Sequence, residues 1–337
     1  MTHNSSQRKL DHIELAKKSQ SKAIDVDNRF DYEPVFFFHP KNEKMPQIFL
    51  GKSVDYPFWI SSMTGGAELA QNINHNLARL CGKYKLGFGL GSCRSLLTSD
   101  DRLKDFAVRP LTDGPLYANL GIAQVEELVL TNTQNKIHEV VRKLDADGLI
   151  IHLNPLQEWF QPEGDRFTQS PLVTLSKFLE NCSYNVIVKE VGHGIGPRSL
   201  SALLKLPIKA IEFGAFGGTN FSQLESLRRD EESLKEPFIQ VGHTAGEMVD
   251  FLNALPKSDK EFIISGGIRN ALDAHYLKQK LKAPSVIGMA YPFLAPAILG
   301  FDPLEKFFID TIEAYASAKS LLIVRETPLI RSADFLR

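Results

Sequence analysis

The chain has 337 residues, 43% apolar and 23% charged, with a formal net charge of −1 at neutral pH. That length suits one large barrel with insertions or two ordinary domains, and so even a charge balance argues against a nucleic-acid or membrane surface. Three cysteines (Cys81, Cys93 and Cys182) without C-x-x-C spacing, no apolar run long enough to span a bilayer and no secretory h-region in residues 1–30 together point to a cytoplasmic enzyme with free thiols.

In chain order, residues 1–30 form a polar arm, expected to be mobile, with a short helix around Arg8 to Ala16. Phe36-Phe37-Phe38 and Ile48-Phe49-Leu50 flank a polar turn at 41–44 and read as a β-hairpin. Strand and helix signals then alternate, as in parallel βα units. Eight strands are predicted, centred on Phe58–Ile60, Leu86–Leu90, Leu116–Asn119, Gly148–His152, Val186–Lys189, Ala210–Phe213, Phe262–Ser265 and Val286–Gly288. After the first strand, Leu69, Ile73, Leu77, Leu80, Cys81 and Tyr84 share one helical face. A helix is predicted from Thr244 to Leu255, and Phe308, Ile312 and Tyr315 mark a C-terminal one. The expected architecture is a single α/β domain over 1–337: a TIM (β/α)8 barrel preceded by the arm and the hairpin. Long connections at 101–114 and 154–171 belong at the ends of such a barrel, where function collects.

Polar and small residues gather just past the strands. Ser61-Ser62-Met63-Thr64-Gly65-Gly66 follows the first, Gly91-Ser92-Cys93-Arg94 the second and Asn119-Leu120-Gly121 the third. The fourth ends in His152-Leu153-Asn154-Pro155-Leu156-Gln157-Glu158 and the fifth in Lys189-Glu190-Val191-Gly192-His193-Gly194. The turns after strands six, seven and eight hold Gly217-Gly218-Thr219, Ser265-Gly266-Gly267-Ile268 and Gly288-Met289-Ala290. Backbone N–H groups in three such turns, with a helix N-terminus, would clasp a phosphate.

Several features admit two readings. Gly87, Gly89 and Gly91 share one face of strand two, which suits either a flat ring lying close or a tight barrel interior. Lys189 ends a buried-type run. It suits a Schiff-base nucleophile, a cation beside an electron-rich ring, or an ion pair with Glu190 or Glu212. Glu158 has no second carboxylate close to it in the sequence. It reads as a magnesium ligand completed by substrate phosphates, or as a solvated loop residue. Arg8, Lys9 and Arg94 are candidate anion clamps, with ordinary surface charge the alternative for the arm pair.

These motifs together resemble the type 2 isopentenyl diphosphate isomerases, FMN-dependent TIM-barrel enzymes. The resemblance runs from Arg8-Lys9 with His12-Ile13 to Gly288-Met289-Ala290, and is most specific over His152–Asp165, which includes Gln161-Pro162-Glu163-Gly164-Asp165. It implies interconversion of isopentenyl and dimethylallyl diphosphate with reduced FMN, Mg2+ and NAD(P)H as reductant, in a homo-oligomer, a tetramer or octamer. It also implies that FMN contacts Ser62, Met63, Thr64, Ser92, Asn119, Lys189 and Thr219, with its phosphate on Gly266, Gly267, Ile268 and Ala290. The substrate diphosphate would lie on Arg8, Lys9, Arg94, His152 and Asn154. Gln157 would sit by the reacting carbons and Glu158 would hold the metal, leaving Gln157 and Lys189 as the catalytic pair.

Against the family pattern, Cys93 replaces a glutamine, Gly214 and Asn220 replace serines, His193 an aromatic residue and Tyr291 an arginine. The rival readings are an FMN-dependent 2-hydroxyacid oxidase, which would place a histidine and an arginine near Ser265-Gly266-Gly267, a non-catalytic flavin binder, and a Schiff-base aldolase using Lys189.

Overall fold

The computed structural model describes residues 5–40, 44–62, 69–228 and 234–326. It divides into two compact units, residues 1–37 with 321–337, and residues 38–320.

In the first unit, helix α1 (Ser5–Leu15) carries Arg8 and Lys9, both exposed. Strand β1 (Phe30–Tyr32) pairs antiparallel with a C-terminal strand, Leu322–Val324. Arg325 reinforces the pair through the Asp31 carboxylate, 2.6 Å away.

The second unit opens with a hairpin, β2 (Gln47–Phe49) and β3 (Lys52–Val54). A hairpin precedes the barrel as expected, and Ile48-Phe49 is one of its strands, but the partner strand is a different one. Ile48 pairs forward with Ser53 around Leu50-Gly51, both at positive φ, while Phe36–Phe38 lie outside any strand. A two-residue turn with left-handed backbone outcompetes the longer polar connection.

Eight parallel strands follow: β4 (Phe58–Ile60), β5 (Gly87–Gly89), β6 (Leu116–Gly121), β7 (Gly148–Leu153), β8 (Asn185–Glu190), β9 (Ala210–Glu212), β10 (Glu261–Ser265) and β11 (Ser285–Met289). They close into a barrel in chain order, with β11 returning to β4. All eight coincide with the sequence expectation. Helices α2 (Ala70–Tyr84), α3 (Ile122–Leu130), α4 (Asn135–Lys143), α5 (Pro155–Phe160), α6 (Pro171–Leu179), α7 (Pro197–Leu203), α8 (Phe221–Leu227), α9 (Ala245–Ala254), α10 (Ala271–Lys280), α11 (Tyr291–Leu299) and α12 (Phe301–Leu321) fill the connections. Ile73, Leu77, Leu80 and Cys81 of α2 are buried as their spacing requires, and Thr244 caps α9 in a capping box with Glu247. Among the described residues no helix is long and apolar enough to cross a membrane.

Strand periodicity sorts the core into two parts. In β7, Leu149 and Ile151 pack outward under the helices, while Ile150 points inward. The inner cluster joins Trp59, Tyr117, Ile150, Ile187, Ala210, Ile263 and Val286 to Phe49, Leu50 and Val54 of the hairpin. The hairpin therefore plugs the N-terminal end, where Leu50 N–H also donates to the Glu261 carboxylate at 3.1 Å. The packing also decides between the two readings of the strand-two glycines at Gly87. A Cβ there would lie 2.2 Å from the Trp59 ring, so this glycine makes room for an indole.

Candidate active site

Two residues beyond the inner apolar cluster, the same strands present a different set. Trp59 is followed at that spacing by Ser61, Tyr117 by Asn119, Ile150 by His152, Ile187 by Lys189, Ala210 by Glu212, Ile263 by Ser265 and Val286 by Gly288. The alternation that buries one apolar layer thus brings a polar layer to the C-terminal mouth.

One cleft there, with roughly 610 Å³ of empty space counted out into the open solvent, is lined by Ser62, Lys189, Glu212, Thr219, Gly266, Gly267, Ile268 and Ala290, among others. Seven of the FMN contacts expected from the sequence are in that set. Asn119 and Ser92 are not in its lining: Asn119 Nδ2 donates to the Leu90 carbonyl, and the Asn119 main-chain carbonyl accepts from Cys93 N–H, which holds the turn carrying Ser92. Met63 and Thr64 lie outside the described residues.

The glycine turns are packed main chain against main chain. A Cβ on Gly266, at φ +90°, would fall 2.1 Å from the Ala215 carbonyl oxygen, and one on Gly218 would fall 3.0 Å from Gly267 N. Helix α11 begins directly after Ala290 at the rim of the same cleft. This is a cradle that only glycine permits, with a helix N-terminus alongside, the arrangement suited to a phosphate. The cleft walls also carry buried hydroxyls, those of Ser61 and Ser62, without a hydrogen-bond partner among the described residues. Together these features fit a phosphorylated, hydroxylated cofactor such as FMN.

Lys189 is buried, and its Nζ donates to the Glu190 carbonyl oxygen at 2.8 Å. Among the described residues it forms no ion pair with either the Glu190 or the Glu212 carboxylate. Glu190 instead accepts from three successive N–H groups, of Gly192, His193 and Gly194, at 2.7, 2.6 and 3.0 Å. Burial nevertheless outweighs these donors and raises its carboxyl to about 7.

His152 Nδ1 lies 2.8 Å from Asn119 Oδ1. Because the Asn119 amide nitrogen is committed to Leu90, its oxygen must accept, so Nδ1 bears the proton. Burial of the ring, and then the Lys189 ammonium, lower His152 to about 3 and keep it neutral. Just beyond, Asn154 Nδ2 donates to Glu158 Oε1 at 2.9 Å, and Asp165 N–H donates to Glu158 Oε2 at 2.8 Å. Glu158 is thus buried and held by donors on both oxygens, so its solvated-loop reading does not hold. Arg94 meets Asp165 at 3.3 Å, and Gln124 also donates to Asp165. The 154–165 connection therefore draws Arg94, Asn154, Gln157 and Glu158 into one network. Arg8 and Lys9 belong to the other compact unit.

Sequence reasoning missed Glu225. This buried carboxylate on α8 accepts from Gln157 Nε2 at 3.3 Å and pairs with Arg228, which also reaches Glu163 at 2.8 Å. Its one sequence signal is an acidic residue on the inward face of the helix after the Gly217-Gly218 turn.

The departures from the family pattern acquire local reasons. Gly214 has φ +52°, and a Cβ there would sit 1.9 Å from the Glu190 carbonyl oxygen. Asn220 caps α8 by accepting from Gln223 N–H and also donates to the Ile239 carbonyl. His193 spans the Val241 carbonyl and the Ser222 hydroxyl, at 2.6 and 2.8 Å, contacts unavailable to a phenyl ring. Cys93 is fully buried. Tyr291 is exposed at the start of α11, and nothing in the structure explains its choice over arginine.

No family profile matches the chain. Among solved structures it resembles a flavocytochrome b2 variant with sulfite bound, with TM-score 0.60 and 16% identity over 91% of this chain and 78% of that one. It also resembles a mandelate oxidase variant with the monooxide FMN adduct, with TM-score 0.52 and 14% identity over 88% and 82%. At those identities the likeness is one of fold. Similarity to curated sequences goes further. The chain is 33% identical to the isopentenyl-diphosphate delta-isomerase of Rickettsia africae (strain ESF-5), over 95% of this chain and 91% of the relative. To the enzyme of the same name from Rickettsia typhi (strain ATCC VR-144 / Wilmington) it is 34% identical over 86% of each. Built on an eight-stranded barrel and matched along nearly its whole length, the chain belongs to the isopentenyl-diphosphate delta-isomerase family.

Proposed function

We propose that the protein is an isopentenyl-diphosphate delta-isomerase of the FMN-dependent type 2 class, interconverting isopentenyl and dimethylallyl diphosphate. The observation that carries this reading is the shared cleft: Lys189 and the Gly266-Gly267 turn line the same opening at the mouth of the barrel. The oxidase reading lacks its base, because Ser265-Gly266-Gly267 stands where that chemistry calls for histidine and arginine.

FMN, kept in its reduced form by NAD(P)H and not oxidised in turnover, would supply the acid and base for an allylic shift in which one proton is added and another removed. Its phosphate would rest on Gly266, Gly267, Ile268 and Ala290, and Ser62, Met63, Thr64, Ser92, Asn119 and Thr219 would hold the remainder. Lys189 would stabilise negative charge on the ring from a fixed, water-poor position. The diphosphate would be gripped by Arg94, His152 and Asn154, with Arg8 and Lys9 from the arm. Glu158 would hold Mg2+ shared with the diphosphate oxygens. One carboxylate plus phosphates is an ordinary magnesium arrangement. Gln157 would orient the five-carbon chain, and Glu225 would position Gln157. A neutral His152 with Nδ1 donating to Asn119 offers Nε2 as an acceptor, so it suits a protonated phosphate oxygen or a metal-bound water. In this reading the enzyme works in the cytoplasm as a tetramer or octamer.

The test is anaerobic incubation of the purified protein with isopentenyl diphosphate, Mg2+ and reduced FMN. Formation of dimethylallyl diphosphate that stops when flavin is omitted or left oxidised is the expected result. Turnover independent of flavin would overturn the type 2 assignment.

A further inference from the structure

Interior positions step across the mouth from Lys189 toward the glycine turn. Lys189 on β8 is in register with Glu212 on β9, and Glu212 with Ile263 on β10; Ser265, two residues further along β10, is in register with Gly288 on β11. A Cβ on Gly288 would fall 2.7 Å from Ser61 Oγ and 2.8 Å from Ser265 Cβ, so these side chains converge inside the barrel.

Glu212 is the anomaly among these positions. It is 1% exposed, and among the described residues neither carboxylate oxygen has a hydrogen-bond partner. Its acidic neighbours at this end are all held: Glu158 by Asn154 and Asp165, Glu190 by three N–H groups, Glu225 by Gln157 and Arg228. A buried carboxylate without a donor is costly enough that its partner has to be sought. Lys189 is not that partner, because its ammonium is turned to the Glu190 carbonyl.

We propose that Glu212 is the acceptor for the polyol segment of the bound nucleotide, taking hydrogen bonds from the ribityl hydroxyls. The inference rests on the FMN reading above and follows from strand order. With the phosphate on the turn after β10 and the ring against Lys189 on β8, the chain joining them must cross β9, whose cleft-facing residue is Glu212. A ribityl chain carries three hydroxyl donors. Glu212 offers two oxygens, and the unpartnered hydroxyls of Ser61 and Ser62 line the same cleft. Bonds to a charged acceptor are the stronger kind, which suits the anchoring of a flexible linker.

The test titrates the flavin-free full-length protein with FMN and with an analogue whose ribityl hydroxyls are replaced by hydrogens, following flavin fluorescence. Wild type is compared with Glu212→Gln, which preserves shape, and with Glu212→Asp, which keeps the charge but retracts it, so that a folding defect in one leaves the other. Each variant is expected to weaken FMN binding by about 10- to 100-fold, the range for hydrogen bonds to a charged group, while the affinity of the analogue stays within about 2-fold of wild type. Equal losses for both flavins would mean that Glu212 serves the ring or the fold, and unchanged binding of both would mean that it is satisfied elsewhere; either result overturns the proposal. A wild-type protein that binds neither flavin would instead overturn the FMN reading.

Discussion

Gln157 Nε2 donates to Glu225 Oε1 at 3.3 Å, joining the short helix after β7 to the helix after β9. The residue expected beside the reacting carbons is therefore braced by a residue 68 positions away. Gln157→Ala should lower kcat with isopentenyl diphosphate by about 10²-fold or more, the lower end of what a positioned acid–base helper contributes. Glu225→Ala should lower kcat by about 10-fold while moving KM less, because it releases Gln157 without removing it. Full turnover in Glu225→Ala would show the brace to be dispensable.

Lys189 is fixed by a main-chain carbonyl, and the proposed function gives it electrostatic work. Lys189→Met should cost about 10²- to 10³-fold in turnover, the loss typical of removing one preorganised stabilising group, and should lower the midpoint potential of bound flavin. Borohydride added during turnover should leave Lys189 unmodified by mass spectrometry. A trapped adduct would revive the Schiff-base alternative.

Two groups at the mouth give folding stability opposite pH slopes. His152, held at about 3 by burial and by Lys189, resists a proton that the unfolded chain accepts near 6.5. Stability should fall as pH drops from about 6.5 toward 3, and His152→Gln should flatten that limb. Glu190, raised to about 7 by burial, keeps a proton that the unfolded chain releases near 4.5. Stability from this source should fall as pH rises from about 4.5 to 7, and Glu190→Gln should remove that decline. Tm measured across pH 4 to 8 separates the two. A slope unchanged in both variants would refute both assignments.

The arm makes a prediction of its own. Arg8 and Lys9 sit on an exposed, polar helix with little of its own to bury, and the proposed function would have them grip diphosphate and exclude water. A chain starting after Lys9 should raise KM for isopentenyl diphosphate at least 10-fold and leave FMN affinity within about 2-fold. An unchanged KM would remove the arm from the active site.

Gly87 tests the barrel interior independently of function. Gly87→Ala drives a methyl into the Trp59 ring and should destabilise the fold by about 1–3 kcal/mol, the usual cost of overpacking. Adding Trp59→Leu should relieve the clash, so that Gly87→Ala costs less in that background than in wild type. Additive losses in urea denaturation would contradict the packing argument.

How much of this was legible depended on range. Strands such as Ile187-Val188 and Ile263-Ile264 announce themselves as short apolar runs because parallel barrel strands are covered on both faces. The polar layer was legible too, since Lys189, His152 and Asn119 each follow an inward apolar residue by two positions. The pairing of Ile48 with Ser53 was not, because two hairpins competed and a left-handed turn at Leu50-Gly51 decided between them. Nor was the strand pair formed by Phe30–Tyr32 and Leu322–Val324, which are almost a full chain length apart.

By itself, the sequence determined the alternation of βα units, the residues delivered to the ends of the strands and the glycine turns that admit a phosphate, because each depends on local periodicity or on backbone freedom at a few neighbouring positions. Only the tertiary structure decided which of those residues meet. Closing the barrel sets Lys189 beside Glu212, brings Glu225 to Gln157, and leaves Lys189 on a carbonyl rather than in an ion pair. Contacts of that kind are set by strand register and helix packing, which no short stretch of chain encodes.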